Sequence, residues 1–197
     1  MLSTNWSKAE KAFQKQLEFN IKELNSTVTP DHWLDVVDAV NFLNPKSFLD
    51  IGCGVGTIYK IIQNTSPNIS YKGIDYAPAA IKIARDFWKY EGFDQFDFWG
   101  LSKKDVSDFD LVYIGALLDV LPNGDEALDF LLSLQIKNLL IGRINLAEGE
   151  SYYKEYTAYE EIETCAFYHN AQKAKDTIEN KYGYKSYGMR WSLLLTK

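Results

Sequence analysis

Apolar positions in the first 24 residues recur every three or four places. Trp6, Ala9, Phe13, Leu17, Ile21 and Leu24 form one stripe, with Lys8, Lys11, Lys15, Glu18 and Lys22 between them. That spacing predicts an amphipathic helix over residues 2–24 in need of a partner surface. The partner is the domain itself, a site that the helix covers as a lid, or a second copy of the chain. Residues 25–30 form a polar break. Asp31 then reads as an N-cap, and Trp33, Val36, Val37, Val40 and Leu43 form a second helical stripe that ends at Pro45.

Beyond Pro45 the texture changes to short apolar runs alternating with helical periods. Strands are expected at 47–51, 71–74, 96–99, 111–114 and 138–141. The helices between them carry Ile58, Ile61 and Ile62, then Ala80, Ile81, Ala84 and Phe87 behind Pro78, then Leu128, Leu131, Leu132 and Leu134. Apolar runs without polar alternation indicate parallel strands covered on both faces. Residues 145–168 break the rhythm and are acidic and Tyr-rich. A helix over about 170–180 follows, then strands at 184–187 and 190–196. Too little chain separates that last pair for a crossover, so they pair antiparallel. The expected fold is α/β, a Rossmann-like doubly wound sheet of seven strands, mostly parallel with an antiparallel final pair. Residues 1–30 read as a helical extension and 31–197 as the domain.

Composition agrees with one globular unit. The chain has 197 residues, 46% hydrophobic and 24% charged. Two cysteines, Cys53 and Cys165, exclude a disulfide scaffold and a Cys-rich zinc site, and no metal is expected. No apolar run reaches the length of a membrane helix, and no basic-then-apolar leader opens the chain, so a cytoplasmic protein without membrane contact is expected. The net charge is −6, and Lys103-Lys104 is the only adjacent basic pair, which disfavours nucleic acid as a partner.

The strongest local pattern is Phe48-Leu49-Asp50-Ile51-Gly52-Cys53-Gly54-Val55-Gly56-Thr57. A buried strand enters alternating glycines and then a helix. Glycine allows a positive φ and close approach of a ligand, and the helix start offers unpaired N–H groups. The spacing is G-x-G-x-G, not the dinucleotide fingerprint G-x-G-x-x-G. Asp50 stands two residues before the first glycine. A carboxylate there repels a pyrophosphate and suits a ligand with an ammonium group. Asp75 ends the second strand at the place where an acid accepts from two ribose hydroxyls, and Tyr76 beside it can pack on a base.

These residues resemble the class I S-adenosylmethionine-dependent methyltransferases of small molecules. The run from Asp50 to Gly56 looks like their first motif, Asp75 like the ribose-binding acid of their second, and Phe109-Asp110-Leu111-Val112 like the start of their fourth strand. The final antiparallel pair is similar to their terminal hairpin. The resemblance covers about residues 31–197. It implies S-adenosyl-L-methionine as cofactor, S-adenosyl-L-homocysteine as product and a small-molecule acceptor methylated at oxygen or nitrogen. The cofactor contacts it implies are Asp50, Gly52, Cys53, Gly54, Gly56, Asp75, Tyr76, Leu101, Ser102, Ile114 and Gly115. Cys53 itself reads as a small filler. The adenine stretch, Trp99-Gly100-Leu101-Ser102, has no Asp or Asn, so backbone N–H groups or Ser102 would serve.

After the fourth strand, Ile114 to Asn123 lacks the Pro-Pro-aromatic motif of base and amide methylation, the Pro-Cys motif of cytosine enzymes, and the metal-binding acid of catechol-type enzymes. It looks like the "vLEHlpd" pattern of small-molecule enzymes. Asp119 matches the acid, but Val120 stands where the His would be. Catalytic candidates are therefore Asp119 with Tyr153 and His169 from the late segment, where Arg143, Tyr152, Tyr156, Tyr159, Phe167 and Tyr168 also lie. Tyr152, Tyr156 and Tyr159 also have helical spacing, so burial of a loop helix is the alternative for them. His32 reads as a surface or helix-start residue. The competing functions are a protein or peptide methyltransferase, a cofactor-binding protein without turnover, and a nicotinamide-dependent oxidoreductase. Oligomeric state is open.

Overall fold

A computed structural model describes Trp6 and residues 9–197. The predicted first helix therefore begins partly outside the described residues, Lys8 among them. Helix α1 is Glu10–Leu24 and α2 is Asp31–Leu43. Pro30, not Asp31, holds the cap position of α2; its fixed φ of −56° leaves Asp31 as the first helical residue. Then follow β1 Ser47–Ile51, α3 Thr57–Thr65, β2 Ser70–Asp75, α4 Pro78–Trp88, β3 Phe93–Gln95, α5 Lys103–Ser107, β4 Leu111–Gly115, α6 Gly124–Ser133 and β5 Asn138–Gly142. The remainder is β6 Leu146–Ala147, β7 Tyr152–Ala158, β8 Ile162–Asn170, α7 Ala171–Lys175, β9 Lys185–Gly188 and β10 Ser192–Thr196.

The main sheet has seven strands in the order β3-β2-β1-β4-β5-β10-β9. Its first five strands are parallel, and β10 runs antiparallel to both β5 and β9. Alternate residues of each central strand point to opposite faces, and both faces are covered. Phe48, Tyr71, Tyr113 and Leu140 pack under α2, α3 and α4. Leu49, Ile51, Val112, Ile114, Leu139 and Ile141 pack with α6 and the segment around Ile178. This double burial is why the strands read as continuous apolar runs.

Two expectations change. The third strand lies at Phe93–Gln95 rather than 96–99. The Asp97 side chain accepts from the Trp99 N–H and turns Phe98–Gly100 into a 3-10 turn, leaving Phe96 and Trp99 partly exposed. The Tyr-rich segment is a hairpin, not the loop helix that the spacing of Tyr152, Tyr156 and Tyr159 left as the alternative. β7 pairs antiparallel with β8, and β6 adds to β8 to make a small second sheet. Tyr159 and Glu160 turn the chain at φ of 52° and 62°, closed by the Glu161 N–H on Ala158 O.

Helix α1 lies against this hairpin. Ala12 and Phe13 are buried with Val55 of the glycine loop, Ala77 and Ala80 at the start of α4, and Ala158 and Ile162 of the hairpin. Asn20 donates to the Thr57 hydroxyl, and Lys15 donates to Tyr159 O and pairs with Glu160. The helix therefore ties the glycine loop to the hairpin turn. No helix among the described residues is long and apolar enough to cross a membrane.

Candidate active site

The parallel strands deliver their C-terminal ends to one edge, and the glycine turns sit there. Gly52, Gly54 and Gly56 have φ of 74°, 52° and 77°. The N–H groups of Gly52 and Cys53 both reach Ile74 O, which stitches the loop to β2. The Gly54 N–H donates to one oxygen of Asp75 at 2.9 Å, and the Ala77 N–H donates to the other at 2.8 Å. The carboxylate is thus aimed by two backbone groups. Burial raises its pKa, and these two bonds oppose the rise.

Asp50 lies one layer deeper. It is buried and accepts from the Tyr71 hydroxyl at 2.6 Å. Burial pushes its pKa up to about 7, with the Asp75 charge adding to the rise and the Tyr71 bond opposing it. Its side chain does not line the cavity described below. Cys53 is buried against Gly73, and burial pushes its thiol well up, which fits a filler and not a nucleophile. Gly56 also faces inward. A Cβ there would lie 2.6 Å from the Phe93 ring and 3.0 Å from Trp88, so the glycine answers to packing of α3 on the sheet.

A cavity of about 420 Å³ opens at this edge. Gly52, Gly54, Asp75 and Tyr76 form its wall over β1 and β2, and Phe96 and Phe98 its wall beyond β3. Gly115, Ala116, Leu117 and Val120 bound it after β4, Arg143 after β5, and Tyr156 to Tyr159 along the hairpin. Trp6, Phe13 and Gln16 close it from the N-terminal segment. Asp75 and Arg143 belong to strands three steps apart, so their backbones stand about 14 Å apart across the sheet.

The predicted residues divide accordingly. Gly52, Gly54, Asp75, Tyr76 and Gly115 line the cavity. Leu101 and Ile114 are core residues, and Ser102 caps α5 by bonding Asp105 through both its N–H and its hydroxyl. Tyr153 points to solvent from β7. Asp119 is buried in the short turn Leu118–Val120, 3.7 Å from the Arg143 guanidinium, and its Oδ1 has no partner among the described residues. Burial raises its pKa to about 6 against the opposing pull of Arg143.

His169 is fully buried and away from the cavity. Its Nδ1 lies 2.9 Å from Asp125, which also accepts from Ser151 and Lys173. Burial lowers its pKa, so the neutral ring donates to Asp125 and latches the small sheet to α6. Phe13 and Gln16 are wall residues that the sequence pattern alone does not mark as such. The helical stripe was visible, but its partner depended on a hairpin that carried no turn signal.

The chemistry of this wall fits the implied cofactor. Asp50 and Asp75 are buried carboxylates under one loop. Among the described residues their neighbours are N–H groups, a phenol and each other, with no side-chain cation in contact. A ligand with an ammonium and a sulfonium answers that charge, and a pyrophosphate does not. Trp6 Nε1 and Gln16 Oε1, both buried on the cavity wall, have no partner among the described residues and await polar ligand atoms.

Comparison with known proteins agrees. Residues 49–138 match the family model of a methyltransferase domain. The structure superposes on that of a Clostridium acetobutylicum S-adenosylmethionine-dependent methyltransferase with a TM-score of 0.62 at 12% identity, covering 93% of this chain and 98% of that one. Streptomyces venezuelae DesVI gives 0.60 at 12% identity, covering 84% and 90%. Human N-acetylserotonin methyltransferase, in complex with S-adenosylmethionine, gives 0.66 at 15% identity, covering 96% of this chain and 57% of that one. At such identities these likenesses speak for the fold. No curated protein matches the sequence.

Proposed function

We propose that the chain is a class I, S-adenosylmethionine-dependent methyltransferase that methylates an oxygen or nitrogen of a small molecule, a reading supported by the match of residues 49–138 to a methyltransferase-domain model and by the strand order. Residues 31–197 form the transferase body, and the described part of residues 1–30, Trp6 and 9–30, supplies a helical cover. The observation that carries the reading is Asp75, held by the Gly54 and Ala77 N–H groups at the wall of the cavity.

The cofactor, when bound, supplies an activated methyl on a sulfonium, open to in-line displacement. The chain's own work is then positional. Asp75 accepts from ribose hydroxyls. Gly52 and Gly54 let the backbone approach, and Tyr76, Phe96 and Phe98 offer apolar surface to the base. Leu117, Val120, Tyr156 and Tyr159 wall the side nearer β5 and exclude water. A bounded cavity behind a helix favours a small acceptor over a protein segment.

Calorimetric titration with S-adenosylmethionine, S-adenosylhomocysteine and NAD tests the reading. The two sulfur nucleosides are expected to bind and NAD is not. Asp75→Ala is expected to weaken their binding by about a hundredfold, the loss of two charged hydrogen bonds. Asp75→Asn separates that loss from misfolding. Absence of binding by both nucleosides to the folded chain defeats the reading.

His169→Gln addresses the late-segment candidates. It breaks a buried latch and is expected to lower stability by about 1–3 kcal/mol. S-adenosylhomocysteine affinity, measured on the same protein, is expected to stay within about twofold, since His169 lies outside the cavity. A large loss of affinity without a loss of stability contradicts the latch.

A further inference from the structure

The cavity has one cation among its described lining residues, and its ion pair with the buried Asp119 is too long to be a hydrogen bond. Arg143 follows β5, at the far side of the sheet from Asp75. Its backbone stands at φ 59°, in the left-handed region that a residue with a Cβ avoids. The strain is held by an N–H bond of 2.8 Å to Trp191 O at the start of the last hairpin strand. Such a fixed outlier beside a cavity has its use in where it sends the side chain.

The guanidinium donates no hydrogen bond among the described residues. Its nearest acid is Asp119, whose Oδ2 is 3.7 Å away, too far for a hydrogen bond. Asp119 is buried and stays behind the wall, while Arg143 is half exposed and lines the cavity. Around Arg143 the wall is apolar or phenolic. Leu117, Val120, Tyr156 and Tyr159 lie on it, and the Arg143 charge is felt by Tyr156, Tyr159 and Asp119 alike. Glu23 and His32 also lie within its field from α1 and α2.

Resting on the methyltransferase reading, we propose that Arg143 is the acceptor-recognition residue and that the acceptor is a carboxylate with an apolar or aromatic body. The guanidinium fork matches two carboxylate oxygens in one plane. A single guanidinium that already faces Asp119 suits one negative charge; a phosphate would bring two. The chain is acidic, with a net charge of −6, so an anion enters this cavity only where a local cation offsets the general repulsion. The apolar walls then take the body of the ligand, and the carboxylate fixes which end faces the methyl group.

The test uses the full chain saturated with S-adenosylhomocysteine and three probes of one shape: benzoate, benzamide and phenyl phosphate. Affinity is read by the chemical-shift changes of the protein on titration, with each probe taken to millimolar concentration. Benzoate is expected to bind about tenfold tighter than benzamide, the worth of one charge-assisted pair. Arg143→Gln is expected to abolish that preference, and Arg143→Lys to keep part of it. In both variants the affinity for S-adenosylhomocysteine is expected to be unchanged, because Arg143 lies across the sheet from Asp75.

Equal binding of benzoate and benzamide overturns the proposal, as does failure of all three probes to bind. A benzoate preference that survives in Arg143→Gln overturns it too. Phenyl phosphate binding tighter than benzoate replaces the carboxylate by a phosphate ester and overturns that half. Failure of the wild-type chain to bind S-adenosylhomocysteine strikes the methyltransferase reading instead, and the probes titrated without it still report on Arg143.

Discussion

Gly56→Ala is expected to destabilise the fold by about 2–5 kcal/mol, the sum of left-handed strain and overpacking. Gly56 has φ 77°, and a Cβ there would meet the Phe93 ring at 2.6 and 2.8 Å and Trp88 at 3.0 Å. Neither ring has room to yield. Phe93 is fully buried and also packs against Gly73, while Trp88 donates its indole N–H to Val55 O in the same loop. For a chain of this length, a loss of 3 kcal/mol lowers the melting temperature by about 6–12 °C.

Gly54→Ala is the internal comparison. It bears similar strain, with φ 52°, but its Cβ would meet only the end of the Gln16 side chain, at 3.2 Å. The end of a flexible amide side chain can move aside; a fully buried ring cannot. The Gly54 variant is therefore expected to lose about 1–2 kcal/mol and to weaken cofactor binding, because Gln16 and Asp75 both contact that residue. Chemical denaturation of the two variants checks the ordering. Equal losses would mean that backbone strain alone decides, and that packing of Phe93 on α3 contributes nothing.

This pair also shows how much of the site the sequence carried. The glycine spacing was visible, but not the division of labour within it. Gly52 and Gly54 face the cavity, whereas Gly56 faces Phe93, a residue of a strand that the pattern placed three residues too late. That displacement has a local cause. Phe96, Phe98 and Trp99 have the apolar character of a strand, and only the Asp97 bond to the Trp99 N–H makes them a turn. The parallel core was legible because it is buried on both faces, which leaves runs with little other reading. The antiparallel last pair followed from chain length alone. The β7–β8 hairpin was not legible. Its turn is Tyr159-Glu160 in left-handed backbone, without the Asn or Gly that would announce it. Helix α1 supports that turn through Lys15, a contact between residues far apart in sequence that no periodicity encodes. Arg143 and Asp119 were each noticed, but their pairing needed the ends of β4 and β5 side by side.

Asp50→Asn is expected to raise stability at pH 8 and to leave it nearly unchanged at pH 4. Burial carries the Asp50 pKa from 3.8 to about 7 in the folded state. A raised pKa means that folding favours the protonated form. The contribution is fully present below about pH 4 and is lost as pH rises through about 7. Asparagine does not titrate, keeps an oxygen for the Tyr71 hydroxyl and avoids repulsion from Asp75. The difference between variant and wild type therefore grows with pH towards a ceiling of about 4 kcal/mol, three pKa units at 1.36 kcal/mol each. Taking that difference removes Asp119, while the mutual repulsion of Asp50 and Asp75 is part of what the difference reads. The same carboxylate carries a prediction about binding. A cofactor ammonium over the loop would favour the ionised form of Asp50, so wild type should release a fraction of a proton on binding S-adenosylhomocysteine near pH 7. The Asn variant should release less and bind more weakly. Calorimetry in two buffers of different ionisation enthalpy reads the proton count directly. Equal proton release by both proteins would make Asp50 a strut for Tyr71 with no part in holding the ligand, and the ionic character of the loop would then rest on Asp75 alone.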